Sequence, residues 1–216
     1  MILQSEREQI AAACARLLPD GLVVGTAGNL SVRSGDLLAI TPSGLPYRDL
    51  RPELVCVVEV ETGTMVDGPL KPASELGLHL AAVRETGAQA VVHTHSTAAT
   101  AVASLDDLDA LPSVHYYVAV LGGPVRIAGY ARYGSPELAA NVQAALVGRT
   151  GALMRNHGAV VVGDDLGSAY EKALQLEWVC DVYLQARAAG AVRVLPDDEI
   201  AGVVAQLASY GQTYRG

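Results

Sequence analysis

Residues 72–104 read PASELGLHLAAVRETGAQAVVHTHSTAATAVAS. Pro72 with Ser74 and Glu75 close behind it is a helix start. The stretch from Leu76 to Glu85 is helix-like, and Gly87 ends it. Ala90 to His95 opens on the apolar run Ala90-Val91-Val92, which predicts a buried strand. Thr97 to Ser104 predicts a short helix. Helix, buried strand and helix in close succession place the chain in the α/β class.

The pattern holds outward in both directions. Upstream, Ile10, Ala13, Cys14 and Leu17 share one face of an amphipathic helix over Glu6 to Leu18, stopped by Asp20-Gly21. A Gly-rich segment, Gly25-Thr26-Ala27-Gly28-Asn29, leads into short strands at Leu30 to Arg33 and Leu37 to Ile40. Ser34-Gly35-Asp36 joins these two as a hairpin. Thr41-Pro42-Ser43-Gly44 is a turn, Leu54 to Val60 a strand, and Thr62-Gly63-Thr64 another turn.

Downstream, Val114 to Val120 is β-branched and aromatic. Pro136 to Leu146 predicts a helix bounded by Gly148. Strands at Gly151 to Arg155 and Ala159 to Val162 flank Asn156-His157-Gly158. Asp164 to Ala189 is the longest helix, Ala191 to Val194 a strand, and Asp197 to Tyr210 a last helix with acids in its first turn. No repeat or linker interrupts residues 1–216, so one domain is expected. Hairpins and helices mix in it without regular βαβ alternation.

Composition bounds the function. The 216 residues are half hydrophobic and 18% charged, which excludes a disordered chain. Lys+Arg 15 against Asp+Glu 23 gives a net charge of −8, which excludes a general nucleic-acid surface but not a local anion site. Cys14, Cys56 and Cys180 form no CxxC pair or disulfide framework, so a reducing compartment is expected. The first residues carry charges where a signal peptide would be apolar, and no run approaches a membrane span. A soluble cytoplasmic protein is the expectation. With nine tyrosines, one tryptophan and no phenylalanine, the core must be built from Val, Leu, Ile and Ala.

His93-Thr94-His95 carries the strongest chemical signal. Residues i and i+2 of a strand project to one face, where two imidazoles can grip one metal ion. Catalytic zinc takes three protein ligands and keeps a position open. His157, at the end of the run Ala152-Leu153-Met154, is the candidate third ligand. Histidines on a buried strand can also be satisfied core residues. Glu75 is the acid/base candidate at a helix N-terminus, where an ordinary capping-turn glutamate would also fit. His79, four residues on along the same helix face, reads as a packing residue or a partner of Glu75. Gly25 to Asn29 and Ser43-Gly44 offer turn amides and hydroxyls suited to phosphate, although they match neither GxGxxG nor a Walker motif. Ser31 and Ser74 lie in no GxSxG elbow.

Taken in order, Gly28-Asn29-Leu30-Ser31-Val32-Arg33, Thr41-Pro42-Ser43-Gly44, Lys71-Pro72-Ala73-Ser74-Glu75, His93-Thr94-His95-Ser96 and Asn156-His157-Gly158 resemble the class II aldolase/adducin family over nearly the whole chain. The resemblance implies an α/β domain with a central, mostly antiparallel sheet and helices on both sides. It implies Zn²⁺ (or another divalent metal such as Mn²⁺ or Co²⁺) on His93, His95 and His157, with Glu75 as catalytic residue and resting ligand. It puts substrate phosphate at Thr26, Asn29, Ser43, Gly44 and Ser74. Tyr116 becomes a proton donor from a neighbouring subunit, Tyr210 closes the site, and the assembly is a fourfold homotetramer with shared sites. The implied reaction splits a ketose 1-phosphate, such as L-fuculose 1-phosphate, into dihydroxyacetone phosphate and an aldehyde such as lactaldehyde. Pentulose-5-phosphate 4-epimerases of the family typically carry Asp at the position of Glu75. Sugar-acid-phosphate decarboxylases, dehydratases and adducin-like interaction domains remain alternatives. Many members carry two adjacent serines before the glutamate, and here the first is Ala73.

Overall fold

A computed structural model describes residues 1–207. A helix, α1 (Gln4–Leu17), precedes the strands β1 (Asn29–Ser34), β2 (Leu37–Ile40), β3 (Cys56–Glu59) and β4 (Met65–Asp67). Helix α2 (Leu76–Thr86), strand β5 (Ala90–Thr94) and helix α3 (Thr97–Ala103) follow. Then come β6 (Ala110–Leu111), a 3-10 turn at Tyr116–Leu121, β7 (Val125–Ala128), α4 (Pro136–Leu146), β8 (Gly151–Met154) and β9 (Gly158–Gly163). Helices α5 (Leu166–Ala189) and α6 (Asp197–Leu207) complete the described chain.

The nine strands form one sheet in the order β4-β3-β2-β1-β5-β9-β8-β7-β6. Only β7 and β8 run parallel, so the sheet is mostly antiparallel, as expected. Alternation along β5 and β9 feeds two cores. Val92 and Val161 pack with Ile10, Leu17, Val102, Tyr170 and Leu176 from α1, α3 and α5. Val91, Val160 and Val162 pack on the opposite face with Leu78, Val83, Leu138 and Val142 from α2 and α4. Helices therefore cover both faces, and β5 lies in the middle, buried along its whole length.

The helix ends follow the local chemistry. Ser135 caps α4, its hydroxyl accepting from the Leu138 amide at 3.1 Å with Pro136 at the first helical position. Asp165 and Ser168 form a capping box at α5. Glu177 of α5 accepts from the amides of Ala98 and Ala99 at 2.7 and 2.8 Å, which anchors α3 directly behind His95.

Several segments differ from the sequence reading. The β-branched, aromatic run at 114–120 forms a 3-10 turn: the His115 ring accepts from the Tyr117 amide, and Gly122 closes the turn in the left-handed region. Ala191 to Val194 is not a strand. It is mostly exposed and pairs with no neighbour in the sheet. Strand β3 begins at Cys56, because Pro52–Leu54 is a 3-10 turn. Strands β4, β6 and β7 had no signal strong enough to anticipate. Arg7 is a buried cation: it bonds Asp67 at 2.6 Å and the Ile2 carbonyl at 2.8 Å, tying α1 to β4. No helix of the described residues is long and apolar enough to cross a membrane.

Candidate active site

Three pieces of chain converge on the α2/α4 face of the sheet. His93 and His95 come from β5 and its end. The β8–β9 hairpin supplies His157, and the start of α2 supplies Glu75. Asn156 takes a positive φ of 51°, a conformation Asn tolerates, and so turns the hairpin at its tip. Gly158 lets that tip lie on β5: a Cβ there would sit 2.1 Å from the Thr94 carbonyl oxygen. Antiparallel register sets Asn29 of β1 opposite His93. Gly28 before it has φ 82°, and a Cβ there would meet the His93 carbonyl oxygen at 2.8 Å.

The ligating atoms of Glu75, His93, His95 and His157 all lie within 4.8 Å of one another. His93 Nε2 is 3.0 Å from His95 Nε2 and 3.0 Å from Glu75 Oε2. His93 Nδ1 lies 2.8 Å from the Ala159 carbonyl oxygen, which can only accept. That bond puts the proton on Nδ1 and leaves the Nε2 lone pair aimed at the cluster. Glu75 occupies the N-cap position of α2, yet its carboxylate makes no cap bond. Oε1 is 3.2 Å from His157 Nε2 without hydrogen-bond geometry, and as a buried acceptor it has no donor. Imidazole lone pairs and an undonated carboxylate oxygen converging in a buried place fit a divalent cation.

The electrostatics agree. Burial would raise the Glu75 carboxyl, but His93, His157 and the Asn29 amide outweigh it and hold the group below the usual carboxylate range. Burial, with His93 nearby, pushes His95 down to about 3 and His157 to about 4. Both are neutral imidazoles at working pH, the form that binds metal.

A cleft of about 340 Å³ opens beside the cluster. Thr26, Asn29, Ser43, Gly44 and Ser74 all line it, together with Glu75, His95 and His157. The turns at 41–44 and 71–74 are stitched together by Ser43 N–H to the Lys71 carbonyl and Ala73 N–H to the Thr41 carbonyl, both 3.0 Å. No lysine or arginine lines the cleft among the described residues, so its polarity comes from hydroxyls, amides and the start of α2. Tyr130 and Tyr133 also line it, and sequence reasoning missed them. The signal in the sequence was two tyrosines bracketed by Gly129 and Gly134, and the structure shows both rings exposed. Tyr116 does not line the cleft. It is 45% exposed, and its ring centroid lies 4.3 Å from that of His115. Tyr210 lies outside the described residues.

His79 is fully buried and faces neither solvent nor the metal ligands directly. Its partners are Ser31 Oγ at 2.6 Å and Asn29 Oδ1 at 2.5 Å. Asn29, not His79, then reaches Glu75.

The family model described as "Class II Aldolase and Adducin N-terminal domain" matches residues 8–184. The chain is 36% identical over 215 residues to a 5-deoxy-D-ribulose 1-phosphate aldolase of Bacillus thuringiensis, covering 98% of this chain and all of the relative. It is 37% identical over 206 residues to the L-fuculose phosphate aldolase of Escherichia coli (strain K12), covering 94% of each. A solved L-fuculose 1-phosphate aldolase superposes with a TM-score of 0.89 at 34% identity, over 94% of this chain and 96% of that one. The chain therefore belongs to the class II aldolase/adducin family and, with these relatives, is an aldolase, a lyase of carbon–carbon bonds.

Proposed function

We propose that this aldolase reversibly cleaves a ketose 1-phosphate into dihydroxyacetone phosphate and a short aldehyde. The observation that carries the proposal is the single cleft in which a Glu75–three-histidine cluster faces hydroxyl- and amide-bearing turns. The two relatives act, by their names, on 5-deoxy-D-ribulose 1-phosphate and on L-fuculose phosphate, a 5-deoxypentulose and a 6-deoxyhexulose sugar. Breaking the C3–C4 bond of a ketose 1-phosphate leaves dihydroxyacetone phosphate, and the other half is acetaldehyde for a 5-deoxypentulose and lactaldehyde for a 6-deoxyhexulose. A methyl-ended ketose 1-phosphate is therefore the proposed substrate class, with L-fuculose 1-phosphate one member.

His93, His95 and His157 would hold the metal, with Glu75 completing the set, and three imidazole donors suit Zn²⁺. When bound, the metal supplies Lewis-acid polarisation of the substrate ketone. Turn amides and the hydroxyls of Thr26, Ser43 and Ser74, with Asn29, hold the phosphate. In the synthetic direction the Glu75 carboxylate takes a proton from C3 of dihydroxyacetone phosphate and the C3–C4 bond forms to the aldehyde carbon. A phenol gives its proton to the aldehyde oxygen, which becomes the C4 hydroxyl. Solvent then carries the proton from Glu75 back to the phenolate, and cleavage is the same sequence reversed. Tyr116 of a neighbouring subunit is the proposed phenol. In its own chain it stands exposed outside the cleft, in an aromatic cluster with His115, Tyr117 and Trp178. A fourfold homotetramer would bring it to the next site.

Incubating zinc-loaded protein with dihydroxyacetone phosphate and either acetaldehyde or lactaldehyde tests the proposal. Formation of a ketose 1-phosphate is expected. Inertness toward both aldehydes, or equal cleavage of the unphosphorylated sugar, would overturn it.

A further inference from the structure

Behind Glu75 runs a buried line of three polar side chains. Asn29 Nδ2 donates to Glu75 Oε2 at 3.2 Å, Asn29 Oδ1 lies 2.5 Å from His79 Nε2, and His79 Nδ1 lies 2.6 Å from Ser31 Oγ. Ser31 and His79 are fully buried, and Asn29 and Glu75 nearly so. Chemistry fixes the direction of every bond. A carboxylate only accepts, so Asn29 must turn its NH₂ toward Glu75. Its carbonyl oxygen then faces His79 and needs a donor there, so the His79 proton sits on Nε2. Nδ1 is left as an acceptor, and the Ser31 hydroxyl supplies it. The line reads Ser31 O–H to His79, His79 N–H to Asn29, Asn29 N–H to Glu75. No other arrangement satisfies all three bonds while Glu75 is ionised.

Flipping Asn29 alone would put its carbonyl against the carboxylate and its NH₂ against the His79 N–H. Asn29 is buried on β1, with its amide bonded to His79 of α2 at one end and to Glu75 at the other. Asn29 also lines the cleft, so its orientation matters on two sides. Burial keeps His79 neutral throughout the working pH range, so the line holds one sense.

We propose that His79 is a positioning residue: its Nε2–H holds the Asn29 amide in the one orientation that steadies the Glu75 carboxylate for proton transfer. This rests on the reading of Glu75 as the proton carrier. It assigns to the helix that bears Glu75 a second, non-contacting function in the same reaction. Partners of this kind, one step removed from a site, typically contribute about 10- to 100-fold in activity.

Two measurements test it. The first uses ¹⁵N-histidine-labelled, metal-free protein and reads the His79 tautomer by NMR. A neutral Nε2–H form with a protected proton is expected. A Nδ1–H form, or an imidazolium at neutral pH, would overturn the proposal without reference to activity. The second measures solvent-proton exchange into dihydroxyacetone phosphate with no aldehyde present. His79→Gln places an amide donor near the Nε2 position, whereas His79→Asn retains polarity only near Nδ1. With metal content and fold retained, His79→Asn should slow exchange by about 10- to 100-fold and His79→Gln should restore most of it. Exchange in His79→Asn at the wild-type rate, or equal losses in both variants, would overturn the positioning role. Absence of exchange in the wild-type protein would instead overturn the function of Glu75, and the tautomer would still decide the orientation.

Discussion

Glu75 occupies the N-cap position of α2 and makes no side-chain cap there, where a Ser, Thr, Asp or Asn would ordinarily contribute about 1 kcal/mol. The carboxylate goes to the histidines instead, and such a local loss is expected where function and stability compete. Next to it, Ala73 lines the cleft where the family resemblance places a serine. Ala73→Ser should supply a hydroxyl to the substrate phosphate and lower KM, a neutral hydrogen bond being worth about 0.5–1.5 kcal/mol, roughly 2- to 13-fold. Steady-state kinetics with a ketose 1-phosphate would show it, and an unchanged KM would remove Ala73 from the anion site. At this scale the histidine pair was legible, because strand periodicity alone puts His93 and His95 on one face. The Asn29–His79 link was not: spacing along α2 suggested a direct Glu75–His79 pair, and only the β1–β5 register inserts Asn29 between them.

Among the elements, the β8–β9 hairpin has the tightest tolerance. Its tip carries His157, and Gly158 lies against the β5 backbone where no Cβ fits. Gly158→Ala should part the strands, cost more than the about 1–3 kcal/mol typical of overpacking, and weaken metal binding with it. Thermal unfolding together with metal analysis would reveal both losses; a variant with wild-type stability and metal content would show that the hairpin yields freely. The long helices and the central strands were readable because periodicity, caps and stop residues all agreed. Strands β4 and β6 were not. They are three and two residues long, and their strand character comes from a neighbour across the sheet. At 116–121 a histidine cap and Gly122 overrode β-propensity.

At the scale of the molecule, one sheet separates two cores, and the cluster sits where the central strand emerges between them. Folding therefore buries titratable rings. His79 and His95 are held at about 3 and His157 at about 4, against an ordinary value of 6.5. Below 6.5 the unfolded chain takes up protons that the folded chain refuses, so stability is present above that value and falls as pH drops toward 4. The urea midpoint of chelator-treated protein should be lower at about pH 5 than at about pH 7.5, and an equal midpoint would contradict the burial of these rings. The proposed sharing of sites between subunits of a ring makes a separate expectation. Mixing Tyr116→Phe with His93→Ala chains and letting subunits exchange should restore up to roughly a quarter of wild-type activity, since each hybrid ring contains some sites with both groups intact. No recovery after exchange would place Tyr116 outside the neighbouring site.

In the proposed reaction, Glu75 and a metal on His93, His95 and His157 together generate the carbanion. Solvent-deuterium exchange into dihydroxyacetone phosphate, without any aldehyde, measures that step alone. Exchange should be present in the zinc-loaded protein, vanish on complete chelation and return with Zn²⁺. Exchange that persists in the metal-free protein, or that the zinc-loaded protein never shows, would contradict it.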